Sequence, residues 1–163
     1  SENFLQVPEP LIQKEFSRIM SLKDGSKKMS KSELSNLSRI NLADDKDLII
    51  NKIKKAKTDP LPMPDTIKDL EDRLEAKNLL GIYACLTNST LEKSIEIFAG
   101  KNFSEFKEKL SEVLVDKIQP ISIEIKKLLD DKSYLDTILL EGAERANIIA
   151  SKKMKKIKEI IGF

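Results

Sequence analysis

Residues Lys28 to Ser32 have the sequence KMSKS, which places two lysines and two serines within five positions. Lysine ammonium groups can neutralise phosphate oxygens, and serine hydroxyls and loop N–H groups can donate hydrogen bonds to them. Cations held in place beside a departing polyphosphate stabilise the negative charge that develops on it. Lys28 and Lys31 are therefore candidate catalytic residues, in a loop suited to holding a polyphosphate.

The segments on either side of this loop must position it. Before it, residues 18–22 predict a short strand at the end of a nucleotide-binding α/β domain, and Asp24-Gly25 predicts a turn. After it, polar residues prolong an irregular segment until Asp44 or Asp45, both good N-cap residues, begins a helix.

One face of this next helix should contact a core. Ile49, Ile53 and Ala56 recur close to the 3.6-residue period of an α-helix. The helix should end near Thr58, because the following prolines at 60, 62 and 64 each remove a hydrogen-bond donor and restrict the preceding residue.

The prolines predict an extended connector over residues 60–65. It would separate the end of a catalytic nucleotide-binding domain, residues 1–59, from a helical domain, residues 66–163. The predicted fold class is mainly α: the C-terminal end of a Rossmann-like domain carrying the KMSKS loop, followed by an antiparallel helical bundle.

From Thr66 the chain is predicted to be helical almost to its end. The predicted N-caps and C-terminal stop are Thr90, Ser104, Ser133 and Gly100. Two apolar stripes should pack against each other in the bundle. They comprise Phe103, Phe106, Leu110, Val113 and Leu114, and Leu135, Ile138, Leu139, Ala143, Ala146 and Ile149. Pro120 should kink or split the element between Ser104 and Asp131.

Composition narrows the classes of protein only a little. With 29 Lys+Arg against 27 Asp+Glu in 163 residues, the formal charge is +2, so nucleic-acid binding would need local clusters of basic residues. Cys85 lies in an apolar stretch, which favours a buried reduced thiol and a cytoplasmic setting. No apolar run is long enough to span a bilayer, and Ser1-Glu2-Asn3 does not resemble the start of a signal peptide.

The sequence around the loop resembles the tryptophanyl-tRNA synthetases, a family of class I aminoacyl-tRNA synthetases. KMSKS is a signature of that class. The other segments that carry the resemblance, in chain order, are Val7 to Ile12, Ser17 to Leu22, Lys55 to Asp59, Phe98 to Lys101, Gly142 to Ala146, and Ile160 to Phe163. The stretch from Pro60 to Arg73 departs from the family pattern.

The resemblance implies that the loop acts on ATP. In this family the tryptophan carboxylate attacks the α-phosphorus and pyrophosphate leaves, with Mg²⁺ accompanying ATP. Lys31 would be the more important of the two lysines. The residues implied in ATP binding are Ile19, Met20, Lys28, Met29, Ser30, Lys31 and Ser32, and the backbone of Ile19 and Met20 would face the adenine ring.

The resemblance also implies what this chain lacks. The class has a second, histidine-containing signature near the start of its nucleotide-binding domain, and this chain contains no histidine. We therefore expect the C-terminal portion of an enzyme that uses ATP, tryptophan and tRNA(Trp) in the cytoplasm and works as a homodimer. The portion alone should be inactive, and no metal ligands are expected in it.

Other interpretations of the loop remain open. Residues 27–32 could be a solvated linker, or Ser30 and Glu33 could form an S-x-x-E capping box at the start of a helix. Within the same class, a tyrosyl-tRNA synthetase would share the fold and the loop. Outside it, the chain could be a non-catalytic helical module that binds RNA or a protein.

Two further charged features have ordinary structural explanations. The lysines near the end could contact RNA phosphates, but they also suit the solvated face of an amphipathic helix. They are Lys152, Lys153, Lys155, Lys156 and Lys158. The adjacent acids Asp44-Asp45 and Asp130-Asp131 are expected to cap helices and to have no catalytic chemistry.

Overall fold

The computed structural model describes residues 4–12 and 17–162, so Phe163 of the resembling C-terminal segment lies outside the described residues. The chain forms two compact units, Ser1–Gln119 and Pro120–Phe163. The regular elements are β1 (Met20–Ser21), β2 (Asp24–Lys28), α1 (Lys46–Lys54), α2 (Leu74–Leu86), α3 (Leu91–Phe98), α4 (Phe103–Asp130) and α5 (Lys132–Ile161). Short 3-10 turns occupy Asn36–Ser38 and Lys68–Leu70. Among the described residues no helix combines the length and apolarity needed to cross a membrane.

The two strands form an antiparallel hairpin, and its turn lies two positions earlier than predicted. The turn is formed by Leu22 and Lys23, whereas Asp24 and Gly25 belong to β2. The Asp24 carboxylate accepts hydrogen bonds from the backbone N–H and the hydroxyl of Ser26, at 3.1 and 2.6 Å. These bonds lower the pKa of Asp24 to about 2, with a smaller contribution from Lys27.

Gly25 is required for close packing and not for the predicted turn. A Cβ atom at this position would lie 2.9 Å from the backbone nitrogen of Glu75 and 2.9 Å from the carbonyl carbon of Leu74. Strand β2 therefore passes directly over the start of α2, at a distance that only glycine permits.

The core of the first unit joins the hairpin to helices α1 to α4. Its buried members include Leu22, Ile49, Ile53, Ala56, Met63, Leu70, Ala76, Leu79, Leu80, Ile95, Leu110 and Leu114. Tyr83, Phe98 and Phe106 meet edge to face, with the Phe98 and Phe106 ring centroids 4.8 Å apart. Burial of Ile49 and Ile53 confirms the predicted core face of α1, and Ala56, two residues after the end of the helix, is buried as well.

Asp45 caps α1 as predicted, with its carboxylate accepting from the backbone N–H of Leu48 at 2.9 Å. The helix ends at Lys54, four residues before the predicted end. The Lys107 ammonium, from α4, donates to the carbonyls of Ala56 and Lys54 at 2.6 and 3.3 Å. Partial burial of this ammonium lowers the pKa of Lys107.

The proline-rich connector is part of the first unit's core. Met63 is buried, its N–H donates to the Lys101 carbonyl at 2.7 Å, and its carbonyl accepts from the Gly100 N–H at 3.2 Å. Arg73 forms a two-point ion pair with Asp59, at 2.8 and 3.0 Å. The boundary between the two compact units therefore lies after Gln119 and not at the connector. The domain assignment from sequence stays a prediction.

The helical region fulfils some of the capping predictions and not others. Thr90 caps α3 and Gly100 has a left-handed backbone with φ of 68°, as predicted. The predicted N-cap Ser104 is wrong, since α4 already begins at Phe103 and the Asn102 side chain accepts from Glu105 N–H at 2.9 Å. Asn102 takes this role because its carbonyl oxygen can reach the third residue ahead.

The helix α4 continues through Pro120, so the predicted split does not occur there. The break comes at Asp131, which also replaces the predicted cap Ser133: its carboxylate accepts from the Tyr134 N–H at 3.0 Å. Helix α5 then extends to Ile161 and is followed by Gly162, with φ of 86°. All residues of α5 are described and none of them is buried, so packing of its apolar stripe in a bundle stays a prediction.

The prediction of a buried Cys85 is wrong, because this side chain is exposed. Cys85 lies seven residues after Asn78, and positions seven apart share one side of a helix. The hairpin covers that side of α2 at Asn78 but not in the last turn, where Cys85 lies.

Candidate functional site

All seven residues predicted to bind ATP lie in or next to the hairpin. Met20 and Lys28 belong to its strands, Ile19 directly precedes β1, and residues 29–32 form the loop that follows β2. The N–H of Met29 donates to the Ile19 carbonyl at 3.0 Å, and Met20 is paired with Lys28 across the sheet. The strand that was expected to face adenine therefore lies beside the first residues of KMSKS. Ile19 and Met20 are eight or more residues away from Lys28 and Met29 in the sequence, and the hairpin brings the two pairs together.

The loop itself turns at Lys31 and Ser32. The Ser30 hydroxyl accepts from the backbone N–H of Ser32 at 3.3 Å and lies 2.9 Å from the Ser32 hydroxyl. Ser30 therefore does not cap a helix with Glu33. The first regular element after the loop is the 3-10 turn that begins at Asn36. This geometry argues against the capping-box interpretation.

The charges of the loop are presented to solvent. Lys28 and Lys31 are exposed, and neither has an ion-pair partner among residues 4–12 and 17–162. The preceding Lys27 differs, because its ammonium lies 3.2 Å from the Asp24 carboxylate. Two lysines without a carboxylate partner in the described part of the chain, next to two hydroxyls, can attract and hold an anion.

Arg39 holds the segment that follows the loop. Its guanidinium donates to the Glu33 carbonyl at 2.8 Å and to the Asn41 side chain at 3.2 Å. The Ser38 carbonyl in turn accepts from Leu22 N–H at 2.9 Å, which connects this segment to the hairpin turn. The loop is thus held at both ends, by the bond from Met29 N–H to the Ile19 carbonyl and by that from Leu22 N–H to the Ser38 carbonyl.

A buried ion pair connects α1 to the same segment. The Lys52 ammonium, on the core side of α1 and completely buried, lies 2.5 Å from the Asp44 carboxylate and 3.3 Å from the Asn36 side-chain oxygen. Asp44 also accepts from the N–H and the side-chain amide of Asn41, at 2.8 and 3.2 Å. Asp45 alone is therefore the helix cap, and Asp44, predicted to be a cap, neutralises a buried lysine.

Helix α2 contacts the hairpin through two polar side chains. Asn78 accepts from Met20 N–H at 2.8 Å and donates to the Met20 carbonyl at 2.9 Å. Glu75 accepts from the Lys57 ammonium at 2.8 Å and from Gly25 N–H at 3.4 Å. The bond with Lys57 lowers the pKa of Glu75 and raises that of Lys57.

The sequence-based prediction missed these supporting residues, although the sequence contains weak signals for some of them. Lys52 stands three residues after Ile49 and next to Ile53, which places a lysine on the predicted core face of α1. Asn78 stands directly before the apolar stretch from Leu79 to Leu86. A polar residue on a core face needs a partner, but sequence alone does not identify that partner.

Comparison with known proteins decides the family. The family model described as class I tRNA synthetases (W and Y) matches residues 1–119, which is most of the chain. The chain belongs to the class I tRNA synthetases of this W and Y family. The resemblance drawn from the KMSKS loop and its flanking segments is thereby confirmed.

Relatives in the family match almost the whole chain. The Tryptophan–tRNA ligase of Agrobacterium fabrum is 50% identical over 160 residues, covering 98% of this chain and 45% of the relative. That of Rickettsia felis is 50% identical over 162 residues, covering 99% and 48%. The chain thus spans about half the length of the curated relatives it matches.

Solved structures of the family have the same fold. A tryptophanyl-tRNA synthetase from Mycoplasma pneumoniae superposes with a TM-score of 0.73 at 24% identity, covering 93% of this chain and 45% of the other. One from Campylobacter jejuni, complexed with ADP and tryptophan, has a TM-score of 0.68 at 26% identity, covering 98% and 48%.

Proposed function

We propose that this chain is the C-terminal portion of a tryptophan–tRNA ligase and supplies the KMSKS edge of its ATP site. The observation that carries the proposal is the juxtaposition of Ile19 and Met20 with a loop whose two lysines have no carboxylate partner in the described residues. Relatives of that name, about half identical over nearly the whole chain, support it. The Campylobacter jejuni structure with ADP and tryptophan supports the assignment of the small ligands.

In the proposed activation step, the carboxylate of tryptophan attacks the α-phosphorus of ATP and the bond to pyrophosphate breaks. Lys28 and Lys31 would stabilise the charge that moves onto pyrophosphate, and Ser30, Ser32 and loop N–H groups would donate to its oxygens. Lys31 occupies the turn of the loop and is exposed, so its long side chain can follow the departing group. Its contribution should be the larger of the two.

The hairpin would bind the nucleoside through Ile19 and Met20. Both polar backbone groups of Met20 are already bonded to Asn78, so Met20 would contact adenine through apolar atoms. Its neighbour Ile19 would then lie at the open end of β1. Mg²⁺ would arrive with ATP: ammonium groups do not ligate metals, and no residue of the loop is assigned to it.

The remaining partners follow from the proposed parent enzyme. It would transfer tryptophan to tRNA(Trp), with the helical region near the anticodon side, and would act as a cytoplasmic homodimer. The chain alone lacks a histidine-containing signature, because it has no histidine, and is expected to be inactive.

The proposal can be tested with a full-length chimera. Residues 1–163 of this chain would replace the matching segment of the Agrobacterium fabrum Tryptophan–tRNA ligase, and tryptophan-dependent exchange of pyrophosphate into ATP would be measured. We expect exchange by the chimera and none by the isolated chain. Exchange with tyrosine instead of tryptophan, or an inactive but folded chimera, would contradict the proposal.

The isolated chain gives a second measurement on the same samples. Salt-sensitive binding of tRNA together with an inactive chimera would favour a non-catalytic RNA-binding module. An active chimera excludes that alternative, whatever the isolated chain binds.

A further inference from the structure

Helix α2 and strand β1 are joined by one side chain. The Asn78 carboxamide uses its oxygen and its nitrogen at once, at 2.8 and 2.9 Å from the Met20 N–H and carbonyl. Only 8% of Asn78 is exposed, so water competes little for these bonds. The carboxamide therefore pairs with Met20 as a neighbouring strand would.

The hairpin needs such support. Its strands have two and five residues, their register is irregular between Met20 and Ser21, and an isolated two-stranded sheet is marginally stable in water. Met20 is bonded to Asn78 on one side and paired with Lys28 on the other. Asn78 thus fixes a residue that lies between α2 and the first lysine of the KMSKS loop.

A second contact restrains the hairpin in the same direction. Gly25 in β2 packs on the backbone of Leu74 and Glu75, at the first turn of α2. Asn78 lies one turn further along this helix. The two contacts together restrain the hairpin on α2. Of the two α2 side chains that bond to the hairpin, Asn78 makes the shorter bonds, at 2.8 and 2.9 Å, and Glu75 accepts from Gly25 N–H at 3.4 Å.

We propose that Asn78 is a positioning residue for ATP in the activation reaction, acting through Met20 and the hairpin. This inference rests on the proposed function, since it assumes that the hairpin holds ATP. It assigns to a helix beyond the proline-rich connector a direct part in the geometry of the nucleotide site. Among the described residues, the Asn78 side chain bonds to Met20 and not to the KMSKS loop.

The first measurement needs no ligand. In the intact chain, hydrogen exchange at the Met20 amide would be compared between the native protein and Asn78→Asp, which is nearly isosteric and keeps an acceptor for Met20 N–H but loses the donor to its carbonyl. Asn78→Ala removes both bonds. We expect exchange at Met20 to accelerate in both variants, more than at Leu80 on the core side of α2. Unchanged exchange in Asn78→Ala would overturn the pairing.

The second measurement uses the active chimera described above. For Asn78→Asp and Asn78→Ala we expect the KM for ATP in pyrophosphate exchange to rise on the order of tenfold or more, because small displacements of positioning groups can cost up to about a hundredfold. The KM for tryptophan should change less than about twofold. Ile95→Ala, at a buried position of α3 in the same core, is the destabilising control.

The outcomes separate the two hypotheses. An inactive wild-type chimera contradicts the proposed function and the positioning role that depends on it. An active chimera in which the Asn78 variants keep the ATP KM, or in which Ile95→Ala raises it equally, overturns the positioning role alone. A selective rise in the ATP KM with Asn78 variants supports it.

Discussion

The buried ion pair between Lys52 and Asp44 offers the sharpest test of how the loop is supported. The perturbation is Lys52→Met, which preserves the length and most of the volume of the side chain and removes the ammonium. Lys52 is completely buried and Asp44 is 5% exposed, so solvent cannot replace the lost partner. Asp44 would become a buried carboxylate without a neutralising charge.

The structure sets the size of the effect. Breaking a buried ion pair by removing one partner typically costs roughly 3–5 kcal/mol. Asp44 keeps two donors from Asn41, at 2.8 and 3.2 Å. The expected loss is therefore at the lower end of that range, about 3 kcal/mol in the free energy of unfolding.

Urea unfolding of residues 1–163 provides the assay. Tyr83 fluorescence would report on the core of the first unit in a Tyr134→Phe background, because Tyr134 is the only other tyrosine. Lys54→Met, which removes an exposed lysine from the same helix, is the matched control and should change stability by less than about 0.5 kcal/mol.

A double-mutant cycle isolates the pair. Asp44→Asn alone should also destabilise, because it leaves Lys52 buried and charged. The double variant Lys52→Met/Asp44→Asn should lose less than the sum of the single losses by at least about 1 kcal/mol, as expected for residues in direct contact. Additive losses, or a Lys52→Met loss no larger than that of Lys54→Met, would refute the assignment of this pair as a buried support.

Three further predictions follow from the site and its surroundings. Lys31→Ala in the active chimera should slow tryptophan activation on the order of 10²- to 10³-fold. Lys27→Ala, which removes an ammonium that pairs with Asp24, should leave the rate within about threefold of that of the unmodified chimera. Equal rates of pyrophosphate exchange in the two variants would contradict the role of Lys31. Gly25→Ala should destabilise the chain by roughly 1–3 kcal/mol, because the added Cβ overlaps with the backbone of α2. At Gly142 an added Cβ meets no neighbouring group within 4 Å in the described structure, so Gly142→Ala should be neutral or stabilise α5 by up to about 1 kcal/mol. Thermal unfolding of both variants measures the difference. A carboxylate whose pKa is lowered by folding adds stability above its unfolded pKa of 3.8, and this stability is lost as the pH falls towards about 2. Asp24→Asn should therefore weaken the dependence of stability on pH between about 4 and 2, and the variant and the native protein should become equally stable near pH 2. A carbon-13 titration of the Asp24 carboxyl should give a midpoint near 2.

The sequence by itself determined the elements whose cause is local. The spacing of Ile49 and Ile53 fixes the core face of α1, and Asp45 and Thr90 cap their helices through bonds to the third residue ahead. The KMSKS string identified the candidate site and, with its flanking segments, the family. These signals need only a few neighbouring residues to be recognised.

Tertiary structure alone decided which distant groups meet. Gly25 looked like a turn residue, but its backbone contacts α2, fifty residues later in the sequence. Asn78 reaches Met20 over 58 positions. Capping and periodicity say nothing about such contacts, because they depend on how whole elements pack.

The same difference explains the errors made close to the site. Asp44 and Asp45 are equivalent by propensity, yet one caps α1 and the other neutralises Lys52, since only Asp44 faces the interior. Cys85 lies in an apolar stretch but is exposed, because the hairpin covers α2 only over part of its length. Propensity assigned these residues a type of environment. The packing of the segment after the loop on α1, and of the hairpin on α2, decided the environment itself.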